Sequence, residues 1–200
     1  MDQSVTKLRV DMSRPLSFEP DAALDSLKDL FWAKGFEGTS MQDVEAATGL
    51  KKQSLYRQFG DKRSMYLAAL RRYEAVEVRD AVALLGIEGS ARERVARLFT
   101  AIIDRAIAGD RRGCFLCNAS IDQAQADAAT DATIRAITAT VATAFATALA
   151  ASEPYASDRG RRASATAFLL AAHFGLRVMI RVNLPEATLR AAAREAVTAI

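Results

Sequence analysis

"TGLKKQSLYRQFGDKRSMYLAAL", residues 48–70, places Lys51, Lys52, Arg57, Lys62 and Arg63 around a short apolar spine, then runs on into an apolar helix. Within it, Leu50, Leu55 and Phe59 recur at spacings that put them on one side of a helix over about residues 52–59. Lys51, Lys52, Gln53, Ser54, Tyr56, Arg57 and Gln58 are left for the other side. Gly49, just upstream, suits a turn that needs positive φ.

Upstream of that turn the pattern is helical again. Ser40 reads as an N-cap with Asp43 three residues on, a capping-box arrangement. Met41, Val44 and Ala47 supply that short helix with its apolar face. A preceding helix from Asp21 carries Leu24, Leu27, Leu30 and Phe31 and stops near Gly35. Residues 1–19 read as a flexible arm, with Pro15 and Pro20 discouraging a helix. A longer helix starts near Asp61 and carries Met65, Leu67, Leu70 and Tyr73.

Three short helices with a tight glycine turn between the second and third form a helix-turn-helix. In such a motif the second helix of the pair enters the DNA major groove while the first crosses the backbone. The side chains left outward suit that task. Lys and Arg neutralise phosphates, Gln and Arg pair bidentately with adenine and guanine edges, and the Tyr56 hydroxyl reaches a phosphate. Lys62, at the next helix start, is a further backbone contact. Charge agrees. Residues 1–63 hold ten Lys/Arg and ten Asp/Glu, whereas residues 51–72 hold seven cations against Asp61 alone. A basic patch on a neutral background is the electrostatic footprint of a nucleic-acid reader.

Residues 31–70, "FWAKGFEGTSMQDVEAATGLKKQSLYRQFGDKRSMYLAAL", resemble the tetracycline-repressor (TetR) family of bacterial transcription regulators. The resemblance rests on "F…KGF", "TS" opening the second helix, "AATGL" at the turn, "SLYRQF" in the third helix, and "GDK". It implies backbone contacts from Thr39 and Ser40, and a DNA-facing set of Lys52, Gln53, Ser54, Tyr56, Arg57, Gln58 and Lys62. It also implies a homodimer joined through the last two long helices. The family often carries His where this chain has Gln58, so base preference is its own.

The other two-thirds read as helices too. Ser90 caps a helix with Val95, Leu98, Phe99, Ile102 and Ile103 on one face, "GDRRG" at 109–113 is a turn, and "CFLCNASIDQA" starts another helix. An Ala/Thr-rich run over 130–151, a loop "SEPYASD", a long helix to about residue 182 and a last helix after Pro185 follow. The chain shows no repeat, no Gly-rich phosphate loop, no paired catalytic carboxylates and no metal-ligand pair, so neither an enzyme, a cofactor nor a metal is expected. The last two helices are rich in Ala and aliphatics, among them Ala163, Phe168, Ala171, Ala172, Gly175, Leu176, Met179, Leu189, Ala193 and Val197. Faces this apolar are costly to leave in water, which favours a partner copy.

"RRGCFLCNASID" poses a second question. Arg111 and Arg112 precede Cys114 at a predicted helix N-terminus, where cations and helix dipole favour thiolate. Cys117 lies one turn on. Buried packing, electrophile or redox sensing, and metal binding all remain open, though two thiols and the distant His173 fall short of a metal site. The stretch resembles the "GC…N" segment of a TetR subgroup that includes electrophile-responsive regulators, which implies a role for Cys114 more than for the pair. His173 sits in an apolar helix and reads as a core residue. With Phe99, Phe145, Phe174 and Arg177 it could instead line a small-molecule cavity, Arg177 favouring an anionic or carbonyl ligand.

The expected architecture is all-α: an arm over 1–19, a helix-turn-helix domain over 20–64, and a helical regulatory and dimerisation domain over 65–200. The expected function is a cytoplasmic repressor, homodimeric on a near-palindromic operator, released by an unknown small molecule or electrophile. A helical scaffold, or a C-x-x-C thiol redox protein, is the alternative. Apolar runs such as residues 167–176 look too short and interrupted to span a bilayer, so no membrane partner is expected.

Overall fold

The computed structural model describes residues 19–122 and 127–200, and within these every regular element is helical. In chain order they are α1 (Pro20–Lys34), α2 (Met41–Thr48), α3 (Lys52–Phe59) and α4 (Lys62–Tyr73). A π-helical stretch (Glu74–Val78) joins α4 to α5 (Arg79–Gly86). There follow α6 (Ala91–Ile107), α7 (Phe115–Asp122), α8 (Ala128–Leu149), α9 (Arg159–Arg181) and α10 (Glu186–Thr198). The strands that a thioredoxin-like reading of C-x-x-C requires do not occur among the described residues.

The helix boundaries follow local chemistry. Ser40 and Asp43 form a reciprocal capping box, and Ser90 and Glu93 form another. Asp61, Asp127 and Asp158 cap α4, α8 and α9 through their side chains. Pro20 corrects the expectation drawn from it: it is the first residue of α1, a position where its missing N–H costs nothing. The arm expected over 1–19 lies outside the described residues except for Glu19, the residue before α1.

Helices α1 to α4 form a head whose core is Leu27, Phe31, Phe36, Val44, Leu55, Met65 and Tyr66. Phe31, Phe36 and Phe115 each meet Tyr66 edge-on, with ring centroids 5.2, 5.3 and 5.6 Å away. Ala47, expected inward, is exposed, and Val44 alone carries the buried face of α2. An eight-residue helix turns through little more than two turns, so one anchor residue suffices.

The core continues from the head into the body. Phe115 of α7 packs on Trp32, Tyr66 and Tyr73. Helix α8 packs against α4, α5, α6, α7 and α9, and α10 closes over α6 and α9. By length and composition alone α8 and α9 are long and apolar enough to cross a membrane, a test that helices packed in a protein core also meet. Of the apolar residues expected on a partner-facing surface, Leu176 and Leu189 are instead buried inside the chain. Ala163, Phe168, Ala171 and Gly175 stay exposed on α9, joined by Val178 and Val182.

Candidate functional site: a nucleic-acid interface and a buried thiol core

Helix α3 is fixed from three directions. Leu55 is fully buried beneath it, with Leu50 and Phe59 packed at its ends. Gly49 ends α2 at φ 69°, a left-handed turn that glycine adopts without a Cβ penalty. The third restraint is one that sequence reading missed. Lys51, the N-cap residue, makes no side-chain cap, and the carboxylate of Glu45 on α2 accepts from the Lys52 amide at 2.8 Å instead. An acidic residue seven positions before a helix start is a weak signal, visible only once the turn geometry is known.

So held, α3 turns Lys51, Lys52, Gln53, Tyr56, Arg57 and Gln58 outward, all exposed, with Ser54 half-buried. The Lys52 ammonium lies 5.6 Å from the centre of the Tyr56 ring. Lys62 is half-buried, its ammonium 4.4 Å from the Phe36 ring centre, a cation–π contact that holds it at the rim of the patch. Ser40 is exposed, its hydroxyl engaged in the capping box. Thr39 is a correction: it is buried at 1% exposure and its hydroxyl donates to the Gly35 carbonyl at 2.7 Å. Its side chain braces the loop before α2 and is spent there.

The residues expected to sense a ligand fall into two touching groups. Phe99, Phe145, His173 and Phe174 form an edge-to-face chain with centroid spacings of 6.5, 5.8 and 5.5 Å. Burial, with the Arg177 charge adding to it, pushes the His173 pKa well down, so this imidazole is neutral. One turn on, Arg177 approaches Cys114, Tyr73 and the loop before α7. Its Nη1 donates to the Gly113 carbonyl at 3.2 Å. Gly113 has φ 75°, and a Cβ there would stand 2.9 Å from the Arg177 carbonyl oxygen. Only glycine lets the loop lie this close to α9.

Cys114 is buried, immediately before α7, and accepts from the Tyr73 hydroxyl with 3.7 Å between oxygen and Sγ. The Cys117 thiol, half-buried, donates to it as well. That hydrogen bond, the Arg177 charge and the Tyr73 hydroxyl together outweigh burial and pull the Cys114 pKa below the ordinary thiol range. The same contact raises that of Cys117. The source of the effect differs from the one expected. Arg112 is committed elsewhere: it binds Asp110 and Asp29 and lies 3.9 Å from the Trp32 ring centre. The cation that acts on Cys114 is Arg177, sixty-odd residues away in sequence. Any alkylation of Cys114 is therefore expected to level off at a pH below the ~8.5 of a free thiol, at a rate limited by its burial. Iodoacetamide labelling of Cys114 read by mass spectrometry across pH 5–9 checks the inflection.

An ion network ties head to body beside this core. Lys28 on α1 lies 3.5 Å from Glu77 in the π stretch, and their side chains are 8% and 7% exposed. Arg105 on α6 grips both oxygens of Glu77 and also Asp110, which Arg112 links back to Asp29 on α1. The network draws on three stretches far apart in sequence, around residues 28–29, 77 and 105–112, and no spacing rule announces it. Among the described residues, no cluster of three or more His, Cys, Asp or Glu side chains could hold a metal ion.

Residues 23–69 match the model of the family described as "Bacterial regulatory proteins, tetR family". Over those residues this chain carries a TetR-family N-terminal domain. It is 37% identical over 118 residues to the HTH-type transcriptional repressor ComR of Escherichia coli K12, spanning 58% of this chain and 55% of that protein. It is 30% identical over 115 residues to the uncharacterised HTH-type regulator YezE of Bacillus subtilis 168, spanning 56% and 58%. The chain thus spans just over half the length of these curated relatives. Among solved structures it resembles a cysteine mutant of the TetR-family regulator CifR complexed with a 26-bp operator, with a TM-score of 0.82 and 27% identity. That likeness covers 93% of this chain and 99% of the other.

Proposed function

We propose that this protein is a cytoplasmic transcriptional repressor, not an enzyme, that binds a near-palindromic DNA operator as a homodimer and leaves it on meeting an effector. The observation that carries the reading is the outward face of α3: six exposed polar or charged side chains on a capped helix anchored by Leu55. Residues 20–64 act as the reading head and residues 65–200 as the body that pairs and senses. The exposed stripe on α9, from Ala163 through Phe168 and Gly175 to Val182, supplies the seam between copies. The effector acts on the buried core around Cys114, by small-molecule binding or by reaction with an electrophile. Alkylating the thiolate removes the negative charge beside Arg177 and overfills a packed site, costing about 1–3 kcal/mol. At 1.4 kcal/mol per tenfold, that is enough to shift a balanced equilibrium.

Selection of bound sequences from random DNA tests the reading. Enrichment of a two-fold related site, with binding that weakens steeply in salt, is the expected result. A monomer in sedimentation that still binds tightly would overturn the dimer. Within the selected site, Gln53→Ala is expected to cost about 1–3 kcal/mol and to relax one base position. Lys62→Ala should weaken all sequences alike and lower the salt slope by roughly one unit. Competition binding at three salt concentrations separates the two behaviours.

A further inference from the structure

Helices α1, α5, α6 and α9, the π stretch and the loop before α7 line a half-open cavity of about 90 Å³ where head meets body. Ala81, Leu84, Leu98 and Ile102 supply apolar lining, and Trp32 and Arg177 are among its polar residues. Both polar side chains carry a buried donor without a protein partner: Trp32 Nε1 and Arg177 Nε. Trp32 is 1% exposed. A buried N–H that goes unmatched costs about 1–3 kcal/mol, so two such donors on one cavity favour an acceptor oxygen there.

We propose that this cavity is a binding site for a small neutral carbonyl compound, an aldehyde or ketone of about four carbons. Its oxygen would accept from Trp32 and Arg177 and its short chain would lie on the apolar lining. Size sets the first limit, since a cavity of about 150 Å³ is what benzene occupies. Charge sets the second. Glu77, Asp80 and Asp110 line the same cavity as Arg105 and Arg177, so a carboxylate ligand would face three carboxylates against two guanidinium groups. Hydrogen-bonding capacity sets the third. The Glu77 and Asp110 oxygens already serve Lys28, Arg105 and Arg112, which leaves the exposed Asp80 as the lining carboxylate to which a ligand hydroxyl could donate. The site depends on Trp32 and Arg177 and needs no reaction at Cys114. Because Trp32 belongs to the head and Arg177 to the body, an occupant touches both, and its effect on operator affinity rests on the function proposed above.

Trp32 is the single tryptophan of the chain, so its fluorescence reports this cavity directly. The free full-length protein is titrated with butanone, butan-2-ol and butyrate. Saturable quenching by butanone, with at least tenfold weaker effects of the alcohol and the acid, is expected. Arg177→Met should weaken butanone at least tenfold. Ala101→Phe, which fills the cavity from α6, should abolish saturation, with Ala81→Leu as a second blocking variant from α5. Linear quenching shared by wild type and blocking variants would overturn the site, as would saturation by butyrate in preference to butanone. No DNA is present in the titration, so its failure leaves the operator reading standing. Loss of operator binding, conversely, leaves the titration untouched.

Discussion

Glu77→Ala is expected to destabilise the folded protein by about 3 kcal/mol, the lower end of what breaking a buried ion pair costs. The carboxylate is 7% exposed and faces Lys28, whose side chain is 8% exposed, with Arg105 on its other side. Removing it strands an ammonium group in a region where water reaches little. The lower end applies because Asp25 and Asp29 still stand 3.7 and 3.6 Å from Lys28. Arg105 is half-exposed and recovers water, so its loss adds little. Urea unfolding measures the change. The double variant Lys28→Met, Glu77→Leu should recover most of it, because replacing both partners removes the stranded charge. If the double variant is as unstable as the single, the cost lies in packing of the π stretch and not in charge.

Leu55→Ala is the second large effect, at about 2–5 kcal/mol for a fully buried leucine. Its consequence is local before it is global. Helix α3 has eight residues, too few to persist alone in water, and Leu55 is the one residue of it that is buried. The Glu45 cap and the half-buried Phe59 then hold a helix without its central anchor. Operator affinity should fall far more than for any single outward-facing substitution, and amide exchange in residues 52–59 should accelerate while α8 and α9 stay protected. Equal loss of protection throughout the body would show that head and body unfold as one unit, contrary to this expectation.

Much of the fold was legible because helix caps are written in adjacent residues. Ser40 with Asp43 and Ser90 with Glu93 announce helix starts within four positions. The outward face of α3 was legible for the same reason: the spacing of Leu50, Leu55 and Phe59 leaves only one face free. Thr39 was misplaced because a hydroxyl can serve either a ligand or its own loop, and only the fold shows the Gly35 carbonyl 2.7 Å away. The surroundings of Cys114 were misassigned for a different reason. Sequence offered Arg111 and Arg112 as neighbours, yet Trp32, Asp29 and Asp110 take Arg112, and α9 brings Arg177 instead. Contacts that close across elements leave no local trace, and the ion network through Glu77 is of that kind.

The π stretch between α4 and α5 has a geometric meaning of its own. An α-helix advances about 100° per residue, so the direction in which α5 leaves α4 depends on how many residues lie between them. Wider turns over Glu74–Val78 absorb length that an unbroken α-helix would convert into rotation. In effect this segment sets the phase between the reading head and the body, as a shim sets the angle between two gears. Removing one residue from it would call for a turn of about 100° between the two parts, which the shared core of Trp32, Tyr73 and Phe115 and the Lys28–Glu77 pair resist. In a dimer that took that turn, the two recognition helices would point away from a common face of the duplex. In the proposed dimer, spacing along an operator would then depend on the length of these five residues as well as on the affinity for each half.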